Sequence, residues 1–97
     1  MVTYLVLYKF TDSAMGRLQE LPQGIAAVHQ AVADAGGQVL ACYLLMGEYD
    51  SVGIYTFPTD EVALGLLLGI GSQGFLRTTS LKAFSPEQVA EIMARKP

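Results

Sequence analysis

The chain has 97 residues, 52% of them apolar and 15% charged, with nine acidic and six basic residues and a net charge of -3. That length fits a single domain, 1–97, which on folding buries roughly 60 to 70% of the surface its unfolded chain exposes. The Lys and Arg residues are scattered from Lys9 to Lys96 without a basic run, so no nucleic-acid partner is expected. No apolar stretch approaches the ~18 residues of a membrane span, and nothing after Met1 reads as an export signal. No membrane partner and a cytoplasmic location are therefore expected. Cys42 is the only cysteine; it has no intramolecular disulfide partner and sits in an apolar run, as a reduced, buried thiol does.

Residues 2–10 alternate Val2, Tyr4, Val6, Tyr8 and Phe10 with Thr3, Leu5, Leu7 and Lys9, which predicts a first strand. Thr11, Asp12 and Ser13 can cap a short helical turn carrying Met15, Leu18 and Leu21, and Pro22 suits the first turn of the next helix. Ile25, Val28, Val32 and Ala35 follow at helical spacing, and Gly36-Gly37 supplies a left-handed stop. The pattern then predicts a hairpin: a strand over 38–46, a turn over 47–50 and a strand over 51–57, ended by Pro58. Asp60 and Glu61 open a second helix at its positive end, Val62 to Ile70 continue it, and Gly69, Gly71 and Gly74 are expected to break it. A last strand is predicted over 75–84. Ser85-Pro86-Glu87-Gln88 then combines a capping serine, an early proline and a glutamine three residues on, which starts a short C-terminal helix ending near Arg95.

The order β-α-β-β-α-β is that of a ferredoxin-like α+β fold, an antiparallel four-stranded sheet with two helices on one face. Both alternating sets of the first strand are largely apolar, and the two hairpin strands offer apolar groups in both directions. A solvated sheet face reads polar instead. A second sheet is expected to cover it, and the leucines around the second helix point the same way. The partner expected first is therefore another copy of this chain.

The Tyr4–Phe10 strand, the Gly47-Glu48-Tyr49-Asp50 turn and the segment Gly71-Ser72-Gln73-Gly74-Phe75-Leu76-Arg77-Thr78-Thr79-Ser80-Leu81-Lys82-Ala83-Phe84 resemble the GYD-domain family over essentially the whole chain. The turn reads Gly47, Tyr49 and Asp50 with Glu48 inserted. The resemblance implies pairing as a dimeric α/β barrel and assigns no reaction. In element order, G-x-Y-D hairpin and Thr-rich last strand, the chain is more distantly similar to the ligand-sensing domain of leucine-responsive and asparagine-type regulators. In those proteins the hairpin region helps bind small effectors at subunit interfaces. Here there is no room for their DNA-binding helices.

Among individual residues, Gly47 suits a positive φ in the turn. Asp50 either bonds neighbouring backbone N–H groups or, with the Tyr49 hydroxyl, faces a polar ligand at the sheet's edge. Arg77 stands in a strand and needs an acid, supplied by Asp50, by an interface or by a ligand carboxylate. Thr79 lies on the same face and can line a cavity. His29, the only histidine, is a weak acid–base candidate together with Tyr49 and Asp50, against the plainer reading of a helix-shoulder residue. Tyr4, Tyr8, Tyr43 and Tyr55 read as core or interface aromatics, or as the lining of a pocket for a flat ligand. No cofactor or metal is expected: one His and one Cys make no closed coordination set, and neither a phosphate-cradling loop nor a nucleophile elbow occurs.

The leading expectation is an oligomer binding a small metabolite at or beside its interface through Tyr49, Asp50, Arg77 and Thr79. A cofactor-independent monooxygenase- or isomerase-like enzyme and a purely partner-binding module are the alternatives.

Overall fold

Alternating aromatic and aliphatic residues form β1 (Val2–Phe10) in the computed structural model, which describes residues 1–95. The Thr11 hydroxyl caps α1 (Asp12–Met15) by accepting from the Ala14 N–H at 3.3 Å, and it donates to the Phe75 carbonyl at 2.9 Å. A single 3-10 turn, Leu18–Glu20, leads into α2 (Leu21–Asp34), whose first turn holds Pro22. The end of α2 is a Schellman cap. Gly36 takes φ 84, its N–H bonds the Ala33 carbonyl at 3.0 Å, and the Gly37 N–H bonds the Val32 carbonyl at 2.9 Å. Gly37 also lets the helix end approach β3, because a Cβ there would meet the Thr56 carbonyl oxygen at 2.1 Å.

β2 (Gln38–Leu44) is two residues shorter than its apolar pattern predicts and carries a bulge between Val39 and Ala41. Its last bond across the hairpin runs from the Leu45 N–H to the Asp50 carbonyl at 2.9 Å, and Met46 beyond it is fully exposed. β3 (Ser51–Phe57) follows the loop. The Thr59 hydroxyl accepts from the Val62 N–H at 3.2 Å to start α3 (Asp60–Ser72). That helix runs past Ile70 with Gly69 and Gly71 inside it, so only Gly74, at φ 70, acts as the stop. β4 (Leu76–Ala83) is one residue shorter at each end than expected. α4 (Pro86–Ala94) begins with a complete capping box: the Gln88 N–H donates to Ser85 Oγ at 3.1 Å and the Ser85 N–H to Gln88 Oε1 at 2.8 Å.

The strands lie in the order β2-β3-β1-β4 with every neighbour antiparallel, the ferredoxin-like α+β arrangement. α2 and α3 pack on one face, enclosing Val6, Tyr8, Val32, Tyr55, Phe57, Ala63 and Leu67. Glycine at position 53 makes room for Tyr55, whose hydroxyl would lie 2.1 Å from a Cβ there. The Tyr55 and Tyr8 hydroxyls share a buried hydrogen bond of 2.7 Å. Burial pushes both phenols up, and for Tyr8 the Tyr55 hydroxyl adds to the effect.

The other face is bare. Register sets Leu5 opposite Ile54 and Leu81, and Leu7 opposite Val52 and Thr79, with no layer of this chain above them. Leu81 is 49% and Tyr43 66% exposed. Outside the core, Leu64 and Leu68 on α3 and Val89, Ile92 and Met93 on α4 are also exposed, and α4 buries none of its residues.

Gly37→Ala should lower the unfolding free energy by about 1–3 kcal/mol, since a methyl against a backbone carbonyl forces the elements apart. Gly65→Ala on α3, where a Cβ meets nothing within 4 Å, should instead raise it by up to ~1 kcal/mol; urea titrations of both variants check the pair. The core phenols also set an alkaline limit. Their folded pKa values lie above the ordinary 10.0, so the stabilisation is complete below pH ~10 and declines as pH rises beyond it toward the folded values. Unfolding midpoints between pH ~9 and ~11.5 should fall with pH, and fall less steeply in the double variant Tyr8→Phe/Tyr55→Phe.

Candidate functional site

The β2–β3 loop places Gly47, Tyr49 and Asp50 beside the end of β1. Gly47 adopts φ 147, and no atom lies within 4 Å of where its Cβ would be. Asp50 turns toward β1: its N–H donates to the Tyr8 carbonyl at 2.8 Å, and its Oδ2 accepts from the Phe10 N–H at 2.8 Å. The Asp50 side chain thus extends the β1–β3 ladder where ordinary strand pairing has ended, across 40 residues of sequence. Tyr49 is half-buried, and the Lys9 ammonium lies 5.5 Å from the centre of its ring, a cation–π distance.

Arg77 and Thr79 are exposed on the bare sheet face. Arg77 does not pair with Asp50, and among the described residues it takes part in no salt bridge. Its neighbour across the strands is Lys9. Two cations directly opposite each other repel, so this corner of the open face, with Tyr49 at its edge, calls for an anion from outside the fold. Sequence reasoning found Arg77 and missed Lys9, because only the β1–β4 register joins them.

His29 is on the other side of the sheet. It projects from α2 toward the core and packs its ring edge-on to Tyr55, with centroids 6.5 Å apart. Its buried Nε2 has no hydrogen-bond partner. His29 and Arg77 are therefore separated by the sheet, and Tyr49 meets Lys9 rather than the imidazole. The candidates fall into two groups: Tyr49, Lys9, Arg77 and Thr79 on or beside the open face, and His29 with Tyr8, Tyr55, Cys42 and Ser51 beneath the helices.

At the far end of the sheet, Asp60 accepts from the Tyr4 hydroxyl at 3.0 Å and from Lys82 Nζ at 2.7 Å. These two bonds, Lys82 first, hold the Asp60 carboxyl below its usual range, and Asp60 in turn raises Lys82. The cluster is internally paired and leaves no charge for a ligand. No group of three or more His, Cys, Asp or Glu that could hold a metal occurs among the described residues, and no described helix is long and apolar enough to cross a membrane.

A protein from Thermus thermophilus, named glutamine synthetase and cystathionine beta-lyase binding protein, is 31% identical to this chain over 96 residues, covering 98% of each. The crystal structure of TTHA0845, also from Thermus thermophilus, superposes with a TM-score of 0.57 at 29% identity, covering 88% of this chain and 95% of that one. The structure of FFRP-DM1 superposes with a TM-score of 0.60 over 87% of this chain and 100% of its own; at 20% identity it bears on the fold alone. The GYD domain model matches residues 4–93. This chain belongs to the GYD-domain family.

Proposed function

We propose that the protein is a self-associating, partner-binding module: two copies cover each other's open sheet faces, and the pair docks on a metabolic enzyme. The observation that carries the docking part is the whole-length match to a relative named for binding glutamine synthetase and cystathionine beta-lyase. Self-association is supported by Leu5, Leu7, Val52, Ile54 and Leu81, whose exposure in one chain would be costly on a sheet face bathed in water. The outward leucines of α3 and the apolar residues of α4 offer further surface for a larger partner.

A second reading is favoured by the corner formed by Lys9 and Arg77. Their unpaired charges beside Tyr49, with the Thr79 hydroxyl on the same face, suit a small carboxylate-bearing metabolite at the edge of the paired sheets. Asp50 enters this reading as the residue that fixes the loop, since its carboxylate is engaged by the Phe10 N–H. The enzyme reading has weaker support, because His29 lies beneath the helices while Tyr49 sits by Lys9.

The direct test is to mix the purified protein with glutamine synthetase and with cystathionine beta-lyase from its own source organism and follow co-migration in gel filtration with light scattering. A complex with either enzyme is expected; no complex with either would overturn the docking proposal. In the same assay the protein alone should run as a dimer or larger, and Ile54→Arg with Leu81→Lys should run as a monomer. Asp50→Ala should cost about 1–3 kcal/mol of stability, because it strands the Phe10 N–H. Arg77→Ala, on an exposed position, should change stability by less than ~0.5 kcal/mol. If a dicarboxylate such as succinate binds, Arg77→Ala should weaken it at least about tenfold, as isothermal calorimetry would record.

A further inference from the structure

Two clefts on the helical side of the sheet run into each other, sharing Gly24, Val28, Phe75 and Leu76. The inner one is a pit between α2 and the sheet, walled by Tyr8, Phe10, Ile25, His29, Cys42 and Tyr55. The volume open to water centres there is about 40 Å³, room for roughly two or three waters. The outer one is a groove along α2 to the end of α3, past Ala27, Ala31, Ile70 and Gln73, with about 160 Å³ of such volume. The groove alone matches the roughly 150 Å³ apolar cavity that suffices for a benzene-sized guest. Gly24 stands where the two meet, and no atom lies within 4 Å of where its Cβ would be.

The chemistry of the walls narrows the occupant. Neither cleft is lined by Asp, Glu, Lys or Arg, so an ionised ligand would lose its hydration without a counter-charge. The Tyr8 and Tyr55 hydroxyls are engaged with each other at 2.7 Å. His29 Nε2 is the polar atom left over, buried without a partner in a wall of the pit, and an unsatisfied buried nitrogen in a folded protein calls for an explanation. A hydroxyl both donates and accepts, so it satisfies Nε2 in either tautomer of the ring.

The geometry points to a binding site for an uncharged, largely apolar alcohol or phenol, with its hydroxyl in the pit on His29 Nε2 and its apolar body along the groove. This site is separate from the Lys9–Arg77 corner and from the sheet pairing, both on the opposite face, and stands or falls without them.

His29 is the only histidine, so selective imidazole labelling with nitrogen-15 gives one unambiguous reporter. Titrating the full chain with 4-ethylphenol, and separately with ethylbenzene as the probe without a hydroxyl, should give a saturable shift of the Nε2 signal with 4-ethylphenol at the lower concentration. His29→Phe, which removes the stranded nitrogen and should fold, is expected to weaken 4-ethylphenol at least about tenfold and leave ethylbenzene nearly unchanged, read by calorimetry. Gly24→Leu, on the exposed side of α2, should abolish binding of both. The proposal is overturned if no saturable Nε2 shift appears, if ethylbenzene binds as tightly as 4-ethylphenol, or if Gly24→Leu retains full affinity in a protein with wild-type circular dichroism.

Discussion

A four-stranded sheet has two faces, and in this chain the two helices that cross it cover only one. The covered face holds a small aromatic-rich core around Val6, Tyr8, Tyr55 and Phe57. The uncovered face is not polar: Leu5, Leu7, Val52, Ile54 and Leu81 meet there by strand register. Area-proportional burial makes a cover for that face favourable, and a second copy offers the matching apolar surface by symmetry. The remaining features follow from this imbalance, including the cations at one corner of the open face and the terminal helix that buries nothing on its own chain.

The loop named by the family motif serves this arrangement. Asp50 bonds the backbone of β1 at both its N–H and its carboxylate, which fixes the β2–β3 loop against the end of the central strand. Tyr49 is thereby held beside Lys9, at the rim of the open face. The conformational role of the motif and its nearness to a charged corner are thus compatible, and binding chemistry falls to Lys9 and Arg77 rather than to Asp50. On the helical side, the tight fit of Tyr55 over Gly53 and of Gly37 against Thr56 sets the distance between helix and sheet. Next to those contacts the spacing leaves the pit in which His29 is stranded.

Much of this was legible in the chain. Alternation in Val2–Phe10, the Gly36-Gly37 stop and the Ser85–Gln88 box each report a local preference strong enough to survive in the fold. The glycines of α3 misled, because Gly69 and Gly71 sit on the exposed side of a helix held by its leucines, where the propensity cost of glycine is tolerable. The predicted β2 end misled for a different reason: Leu45 and Met46 are as apolar as the strand before them, and what ends the pairing is Asp50 turning to β1. Long-range placements were not readable at all. Neither the Lys9–Arg77 pairing nor the burial of His29 Nε2 has a signal in periodicity, since both depend on register and on helix rotation over the sheet.

The most direct measurement is an isotope-filtered NOE experiment on a sample mixing methyl-labelled and unlabelled protein, because it detects only contacts between copies. Cross-peaks among the methyls of Leu5, Val52, Ile54 and Leu81 are the expected result, and they would place one sheet on the other. A monomer by mass, with no intermolecular cross-peak from any of these residues, would contradict the account at its root.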